Sequence, residues 1–306
     1  MKQGDLYPLY VIFLNWNLPK DTIECIQSIQ ASETTDLHII LVDNGSTDAS
    51  VDLFREQFGN TITILENPVN IGFAAGMNIG IKYALTQGAQ AVLLLNNDTT
   101  IDRTMIGQLI SIADNHPRAG LVGPFIYFSD QRDRIWRVGD RDSRWLPFPL
   151  RLSNRLLKSS GSAELRLDYI TACGMFIRRE VLELIGLLDE RYFMYYEDAD
   201  FCQRARRAGY EIWCTPKARM WHKVSRSSHK QKPIMRYRQS WGRVEFYHSY
   251  KHGIAWIFFV FYLLVRALLL TILDILTGNW TLIHPLWLGV MDGFSRHPSR
   301  SSDYFE

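Results

Sequence analysis

Cysteine is scarce in this chain, and its four copies, Cys25, Cys173, Cys202 and Cys214, include no C-x-x-C pair. That excludes the usual zinc and redox spacings, and a chain of 306 residues does not need disulfide staples. The thiols are expected free, in a reducing compartment. Also missing are a G-x-G-x-x-G fingerprint and a G-x-x-x-x-G-K phosphate loop. There is no internal repeat. Net charge is nearly absent: 34 Lys and Arg against 32 Asp and Glu leave +2, so nothing global points to nucleic acid. Met1-Lys2-Gln3-Gly4-Asp5 leads into a strand-like run without the apolar core and cleavage site of a signal peptide. The catalytic part is therefore expected in the cytoplasm.

What is present is apolar mass. The chain is 47% hydrophobic and 22% charged, with both signs represented. That composition folds rather than staying disordered, into one large core or two modest units. In the first 125 residues short apolar runs alternate with helix-spaced segments. Tyr10 to Leu14, Leu37 to Val42, Ile62 to Leu65, Ala91 to Leu95 and Gly120 to Ile126 read as strands. Pro19 suits the first turn of a helix reaching about Ile29. Ala74 to Leu85 and Asp102 to Ala113 carry helical periodicity. This alternation predicts an α/β fold with a mostly parallel sheet covered on both faces. The polar clusters at Asn15, Asp43 and Asp98 each follow an apolar strand, which puts them along one sheet edge, where such folds bind ligands.

Residues 127 to 166 are rich in Arg, with Pro147 and Pro149, and predict a long surface excursion serving as a binding element or an ordinary solvated loop. Order resumes from Tyr169 to Arg178. Helices are expected from about Arg179 to before Asp189, and from Asp198 to Arg207 with Gly209 as a stop. Glu211 to Cys214 predicts a short strand. From Lys223 to Arg243 there are seven Lys or Arg residues and no acid. Ile254 to Leu276 then gives 23 residues in which only Arg266 and Asp274 are charged. The length suffices for a membrane span, but a mid-span Arg is costly. An interfacial helix, a span and a soluble helical contact all remain open. Trp256, Phe258, Phe259, Phe261 and Tyr262 suit an interface, and the basic run suits anionic headgroups. Residues 277 to 306 predict a second short helix.

Three acidic clusters could do chemistry, and each has a plain structural alternative. Asp43 in Val42-Asp43-Asn44-Gly45-Ser46-Thr47-Asp48 can accept an N–H from a nucleobase or belong to a turn, and Asp48 can cap the next helix. Asp98 in Asn96-Asn97-Asp98 can hold a hard divalent cation or close a turn. Asp198 in Tyr196-Glu197-Asp198-Ala199-Asp200 can be a general base or a helix cap. His222, in Met220-Trp221-His222-Lys223, can bind metal or diphosphate. Two glycines in Asn70-Ile71-Gly72-Phe73-Ala74-Ala75-Gly76-Met77-Asn78 permit close backbone approach at a helix start.

Together with Val11-Ile12-Phe13-Leu14-Asn15-Trp16-Asn17, these segments resemble the inverting family 2 glycosyltransferases of GT-A fold, in particular the bacterial rhamnosyltransferase-like branch, over about residues 8 to 225. The resemblance implies a nucleotide-binding domain with a C-terminal membrane-associated helical segment. Residues 1–250 would be catalytic, with about 1–100 for the nucleotide sugar and about 101–250 for the acceptor and base, and 251–306 would form the apolar helical region. It implies that Asp43 reads the imide N–H of a uracil or thymine base. Asn15, Asn70, Gly76, Asn78, Asn96 and Asn97 would line the same donor site. Asp98 matches the last acid of a D-x-D motif whose first acid is here Asn96. His222 would assist a Mg²⁺ or Mn²⁺ ion, Asp198 would be the catalytic base, and Glu197 and Trp221 would support the acceptor. The implied reaction is inverting transfer from a dTDP- or UDP-sugar, first of all dTDP-rhamnose, to a glycan or polyprenyl-linked saccharide at the cytoplasmic face of an anionic membrane. The aromatic tail could equally bury a homo-oligomer contact. The rivals are a nucleotidyltransferase and a non-catalytic assembly protein on a degenerate transferase scaffold.

Overall fold

The computed structural model describes residues 8–34, 36–141, 150–151, 163–224 and 232–295. Four parallel strands, β1 (Leu9–Asn15), β2 (Leu37–Asn44), β3 (Thr63–Asn67) and β4 (Ala91–Leu95), stand in the order β3-β2-β1-β4. They are joined through α1 (Pro19–Gln30), α2 (Ser50–Phe58) and α3 (Phe73–Thr86). The short β5 (Thr99–Ile101) and α4 (Met105–Asn115) lead to β6 (Ala119–Phe128). As expected, α1 has Pro in its first turn, where its missing N–H costs nothing.

β1 shows why these runs are continuously apolar rather than alternating. Tyr10 and Ile12 join the core beneath α3, while Leu9, Val11 and Phe13 join the core on the α1 and α4 side. Both faces are covered, so every position but the partly buried Leu14 is buried. A Cβ on Gly80 would meet Ile12 Cγ2 at 2.5 Å, and one on Gly76 would meet Leu14 Cδ2 at 2.8 Å. These glycines let α3 lie close on β1. Gly76 is thus a packing residue, a correction to its expected place beside a nucleotide.

Beyond β4 the sheet is mixed rather than mostly parallel. β11 (Gly174–Arg178) runs antiparallel to both β4 and β6, and β12 (Glu211–His222) runs parallel to β6. The reason is the connection. β6 reaches β11 through the excursion, whose described residues form strands and hold no crossover helix. Described parts of the excursion form β7 (Ile135–Arg137), β8 (Asp140–Arg141), β9 (Leu150–Arg151) and β10 (Leu165–Leu167). Pro147, Pro149 and the Ser/Gly stretch lie outside the described residues. α5 (Arg179–Ile185) and α6 (Glu197–Arg207) follow, and Gly209 has φ +92° just past α6. β12 is three times the expected length: a bulge between Thr215 and Arg219, where Pro216 sits, keeps it paired with β6 as far as His222.

Three helices complete the described chain: α7 (Lys232–Tyr250), α8 (Ile254–Leu276) and α9 (Ile283–Ser295). α7 was hidden by its charge in the sequence. Several basic residues of the run make contacts within the protein. Arg236 pairs with buried Asp274 at 3.4 Å, and Arg238 stacks on Phe193. Lys223, just before, bridges Asp21 and Glu24 on α1. α9 crosses α7 at two glycines: a Cβ would come within 2.4 Å of Tyr237 O at Gly289 and 2.5 Å of Val244 Cβ at Gly293. α8 is packed on one side only. Phe259, Leu263, Ala267 and Asp274 are buried, while Ile257, Phe258, Phe261, Leu268 and Leu269 are all more than half exposed. Of the expected interface aromatics, Phe259 therefore turns inward, stacked on Tyr247 and Trp256. α8 is long and apolar enough to cross a membrane, with 17% of its most apolar window buried.

Candidate active site

The carboxyl ends of β1, β2 and β4, the end of β12 and the start of α6 surround a cavity of about 740 Å³, sized for a substantial ligand. Asn44, Asn70, Asn96, Asn97, Asp98 and His222 line it, as do Glu197 and Asp198. Trp16 and Trp136 add aromatic surface.

Asp43 is not among these lining residues. It is 2% exposed, with Oδ1 accepting from Ser46 N at 2.8 Å and Oδ2 from Ser46 Oγ at 2.7 Å and Asn15 Nδ2 at 2.8 Å. The small residues after the strand fold back as a turn around the carboxylate. Asn15, fully buried, takes Thr22 Oγ1 on its own Oδ1 at 2.8 Å, and Thr22 Oγ1 accepts from Asn97 Nδ2 at 2.8 Å. Asp43 and Asn15 thus form a floor tied through Thr22 to a cavity residue. The next residue, Asn44, takes the facing position. Its amide donates to Asn70 Oδ1 at 3.0 Å and to Gly72 O at 3.1 Å. Sequence reasoning passed over Asn44 and Trp16, although both lie inside the motifs that flagged their neighbours.

Asn78 lies away from the cavity. Its side chain donates to Leu188 O at 2.9 Å and accepts from Leu188 N at 3.1 Å, clamping α3 to the segment before α6. Trp221 is also outside: it donates to Arg132 O and lies under the Arg132 guanidinium. Alternation along β12 explains this, since His222 points to the cavity and Trp221 to the other face. Asp48 accepts from Ser50 N at 3.0 Å at the start of α2, as a helix cap would.

At the far end of β4, Asp98 Oδ1 stands 3.0 Å from His222 Nε2. The pairing of His222 with Thr99 and the bond from Lys223 N to Asp98 O fix this approach. Both residues are more than nine-tenths buried, and Trp136 meets the His222 ring edge-on at 4.5 Å. Burial opposes an imidazolium here, but Cys173 and Asp98 outweigh it and lift the His222 pKa to about 10. Once His222 gives up its proton, a carboxylate oxygen and an imidazole nitrogen on one cavity fit a borderline divalent cation such as Mn²⁺, as do the amide oxygens of Asn96 and Asn97. No group of three or more His, Cys, Asp or Glu residues converges among the described residues, so such an ion would need oxygens from a ligand.

Asp198 lines the same cavity. Its Oδ2 accepts from Tyr169 OH at 2.7 Å and Ala172 N at 3.3 Å, and Oδ1 accepts from Ala199 N at 2.8 Å. The residue at the cap position is Tyr196, with no side-chain cap bond, so Asp198 is not the cap. One of its oxygens meets a first-turn N–H and the other turns to Tyr169. Burial, then the Asp198 charge, push the Tyr169 phenol well above its usual pKa, so it remains a neutral donor. Glu197 is buried with Oε2 unpartnered among the described residues. Burial, then Asp198, push its carboxyl well above the usual glutamate value. Asp200 is structural, bonded to Arg204 and Tyr250. Tyr195 and Tyr196 both hold positive φ, +73° and +76°. Such backbone costs on the order of 1 kcal/mol or more per residue and persists where packing dictates it. Here Gly242 of α7 leaves room for the Tyr196 ring, where a Cβ would come within 3.0 Å.

Comparison with known proteins agrees with this layout. Residues 10–186 match the family described as Glycosyl transferase family 2. The chain is 24% identical over 222 residues to the dTDP-rhamnosyl transferase RfbF of Shigella flexneri, covering 72% of this chain and 71% of that one. It is 26% identical over 222 residues to an N-acetylglucosaminyl-diphospho-decaprenol L-rhamnosyltransferase of Mycobacterium tuberculosis, covering 66% and 72%. Among solved structures, the mannosyltransferase PcManGT of Pyrobaculum calidifontis, in complex with GDP-Man and Mn²⁺, superposes with TM-score 0.57 at 14% identity over 97% of this chain and 92% of that one. The chain spans only 48% and 39% of two other solved chains with this fold.

Proposed function

Because this chain belongs to glycosyl transferase family 2, we propose that it transfers a sugar from a nucleoside-diphosphate donor to a hydroxyl of a glycan or lipid-linked saccharide, with inversion. One observation carries the proposal: Asp98 with His222, and Asp198, line one and the same cavity. That arrangement supports a leaving diphosphate beside Asp98 and an attacking alcohol beside Asp198. Asp198 accepts the proton of the incoming hydroxyl as its oxygen bonds to the anomeric carbon and the carbon–diphosphate bond breaks. Tyr169, Ala172 N and Ala199 N hold that carboxylate in place, leaving its remaining lone pairs for the acceptor. Asp98 and His222 would hold Mn²⁺ or Mg²⁺, whose charge, when bound, offsets the negative charge left on the diphosphate. Asn44, Asn70 and Trp16 form the donor wall, with Asp43 and Asn15 supporting it from beneath. All of them lie within the first 100 residues, and Asp198 lies in the later part, as the division into donor and acceptor halves requires.

dTDP-rhamnose is the first donor to test, supported by the rhamnosyl relatives. The exposed face of α8 supports attachment to the cytoplasmic face of a membrane, so the acceptor meets the enzyme there. The test is a thermal-shift panel of dTDP, UDP and GDP with and without Mn²⁺, followed by sugar transfer from the matching donor. Selective stabilisation by one nucleotide, increased by Mn²⁺ in the parent but not in Asp98→Ala, is the expected result. Stabilisation by none of them, or a bound donor that never yields its sugar to an acceptor, would return the assignment to a non-catalytic scaffold. Release of inorganic diphosphate from a nucleoside triphosphate would point to a nucleotidyltransferase.

A further inference from the structure

The acceptor wall carries positive charge that the proposed transfer does not use. Arg243 of α7 lines the cavity with its guanidinium 5.7 Å from the Tyr196 ring centre, next to Glu197 and Asp198 in the chain. Its Nε is buried without a partner among the described residues. Burial, then Arg243, lower the pKa of Arg266, half-buried on α8. Arg236 is already paired with Asp274, whereas no described carboxylate forms an ion pair with Arg243 or Arg266. A guanidinium taken partly out of water without an ion-pair partner is costly, and a fold keeps such a group where an anion relieves it.

A continuous path of aromatic rings leads away from the same corner. Tyr196 meets Phe246 at 5.7 Å, Phe246 meets Tyr247 at 5.2 Å, and Tyr247 stacks on Phe259 of α8 at 4.3 Å. Beyond Phe259, the outer side of α8 is the exposed apolar face. From Asp198 outward the protein thus presents a base, then unpaired guanidiniums, then apolar surface. The proposed transfer places the donor diphosphate with Asp98 and His222 and leaves this charge without a role.

We infer that Arg243, reinforced by Arg266, seats the phosphate or diphosphate group of a lipid-linked acceptor whose hydrocarbon chain continues along the apolar side of α8. The inference rests on the transferase reading and specifies its acceptor. Sugar, phosphate and lipid follow one another in such a molecule in the same order as base, cations and apolar face in the protein. Guanidinium suits the role, since its planar donors grip phosphate oxygens in pairs.

Geranyl diphosphate is the probe, titrated calorimetrically into the full chain in EDTA, so that no cation at Asp98 draws the diphosphate there. The parent is expected to bind it, Arg243→Gln to lose about tenfold or more in affinity, and Arg266→Gln to lose less. Arg243→Lys should fall between the parent and Arg243→Gln, and melting temperatures identify any variant that fails to fold. Inorganic diphosphate, run in parallel, should bind much more weakly than geranyl diphosphate. Equal binding by parent and folded variants overturns the inference, as does inorganic diphosphate binding as tightly as the lipid form, which would make the site one for free anions. A chain that binds nucleotide and transfers sugar but ignores geranyl diphosphate loses this acceptor site and keeps its function. A chain that binds geranyl diphosphate through Arg243 and transfers no sugar does the reverse.

Discussion

Asp198 and Glu197 are sequence neighbours with opposite surroundings, and the contrast sets their roles. Asp198 accepts three hydrogen bonds, from Tyr169, Ala172 and Ala199, which hold its side chain in one orientation at the cavity. Asp198→Asn is expected to cut turnover by roughly 10² or more, the usual worth of a general base. Donor affinity measured by calorimetry should stay within about threefold, and near-normal turnover would remove Asp198 from the role. Glu197 is buried with one oxygen unpartnered, and burial followed by the Asp198 charge raises its pKa above the usual 4.5. The native state therefore holds this proton more tightly than the unfolded chain does, and stability falls as pH rises from 4.5 towards the raised value. Glu197→Gln removes that loss. Thermal melts should show no gain for the variant below pH 4.5 and a growing gain above it. A constant difference across the range would mean that Glu197 is not held protonated.

Among the elements, the segment from Leu188 to Tyr196 connects the donor and acceptor walls. Asn78 on α3 grips it at Leu188 through both backbone groups, and Phe73 N donates to Phe193 O at 2.6 Å. Gly72 makes that second contact possible: it has φ +92°, and a Cβ there would lie 2.7 Å from Phe193 O. Asn78→Ala leaves the Leu188 N–H and C=O without this partner in a buried setting, which costs about 2 kcal/mol or more. The expected outcome is a lower urea midpoint, with nucleotide affinity retained by the folded fraction. Specific loss of nucleotide binding at unchanged stability would restore Asn78 to the donor site. These contacts join residues more than a hundred positions apart, and no local periodicity announces them. Helix α7 was unread for a related reason. Its buried face of Tyr237, Trp241, Val244 and Tyr247 is interleaved with Arg and Lys that pair or stack inside the protein, so in the sequence it passed for a solvated basic run.

For the molecule as a whole, the proposed membrane attachment rests on α8. Removing everything after Ser249 would also remove α9, which covers α7 through Gly289 and Gly293, and α7 in turn supports Tyr196. A cleaner change is Phe258→Ser with Phe261→Ser and Leu268→Ser, since all three are more than half exposed. The triple variant should keep its melting temperature and lose flotation with liposomes, because each apolar side chain withdrawn from lipid costs about 1.5 to 3 kcal/mol of binding. Equal flotation of parent and variant would leave α8 as a protein contact, and sedimentation would then test for a homo-oligomer.

The apolar runs and their spacing were enough to determine the parallel half of the sheet, the helices that cover it and the bounds of α8, because burial on both faces or on one helical stripe imprints itself on neighbouring residues. The same reading located Asp98 and Asp198 at element ends. Tertiary structure alone decided that the sheet turns mixed after β4, that Asp43 lies under the cavity while Asn44 faces it, and that His222 meets Asp98 across β5 and β12. It also decided that Tyr169, just past the excursion, holds the Asp198 carboxylate. Each of these depends on long-range pairing and on which way a side chain turns at the end of an element, and neither leaves a periodic trace along the chain.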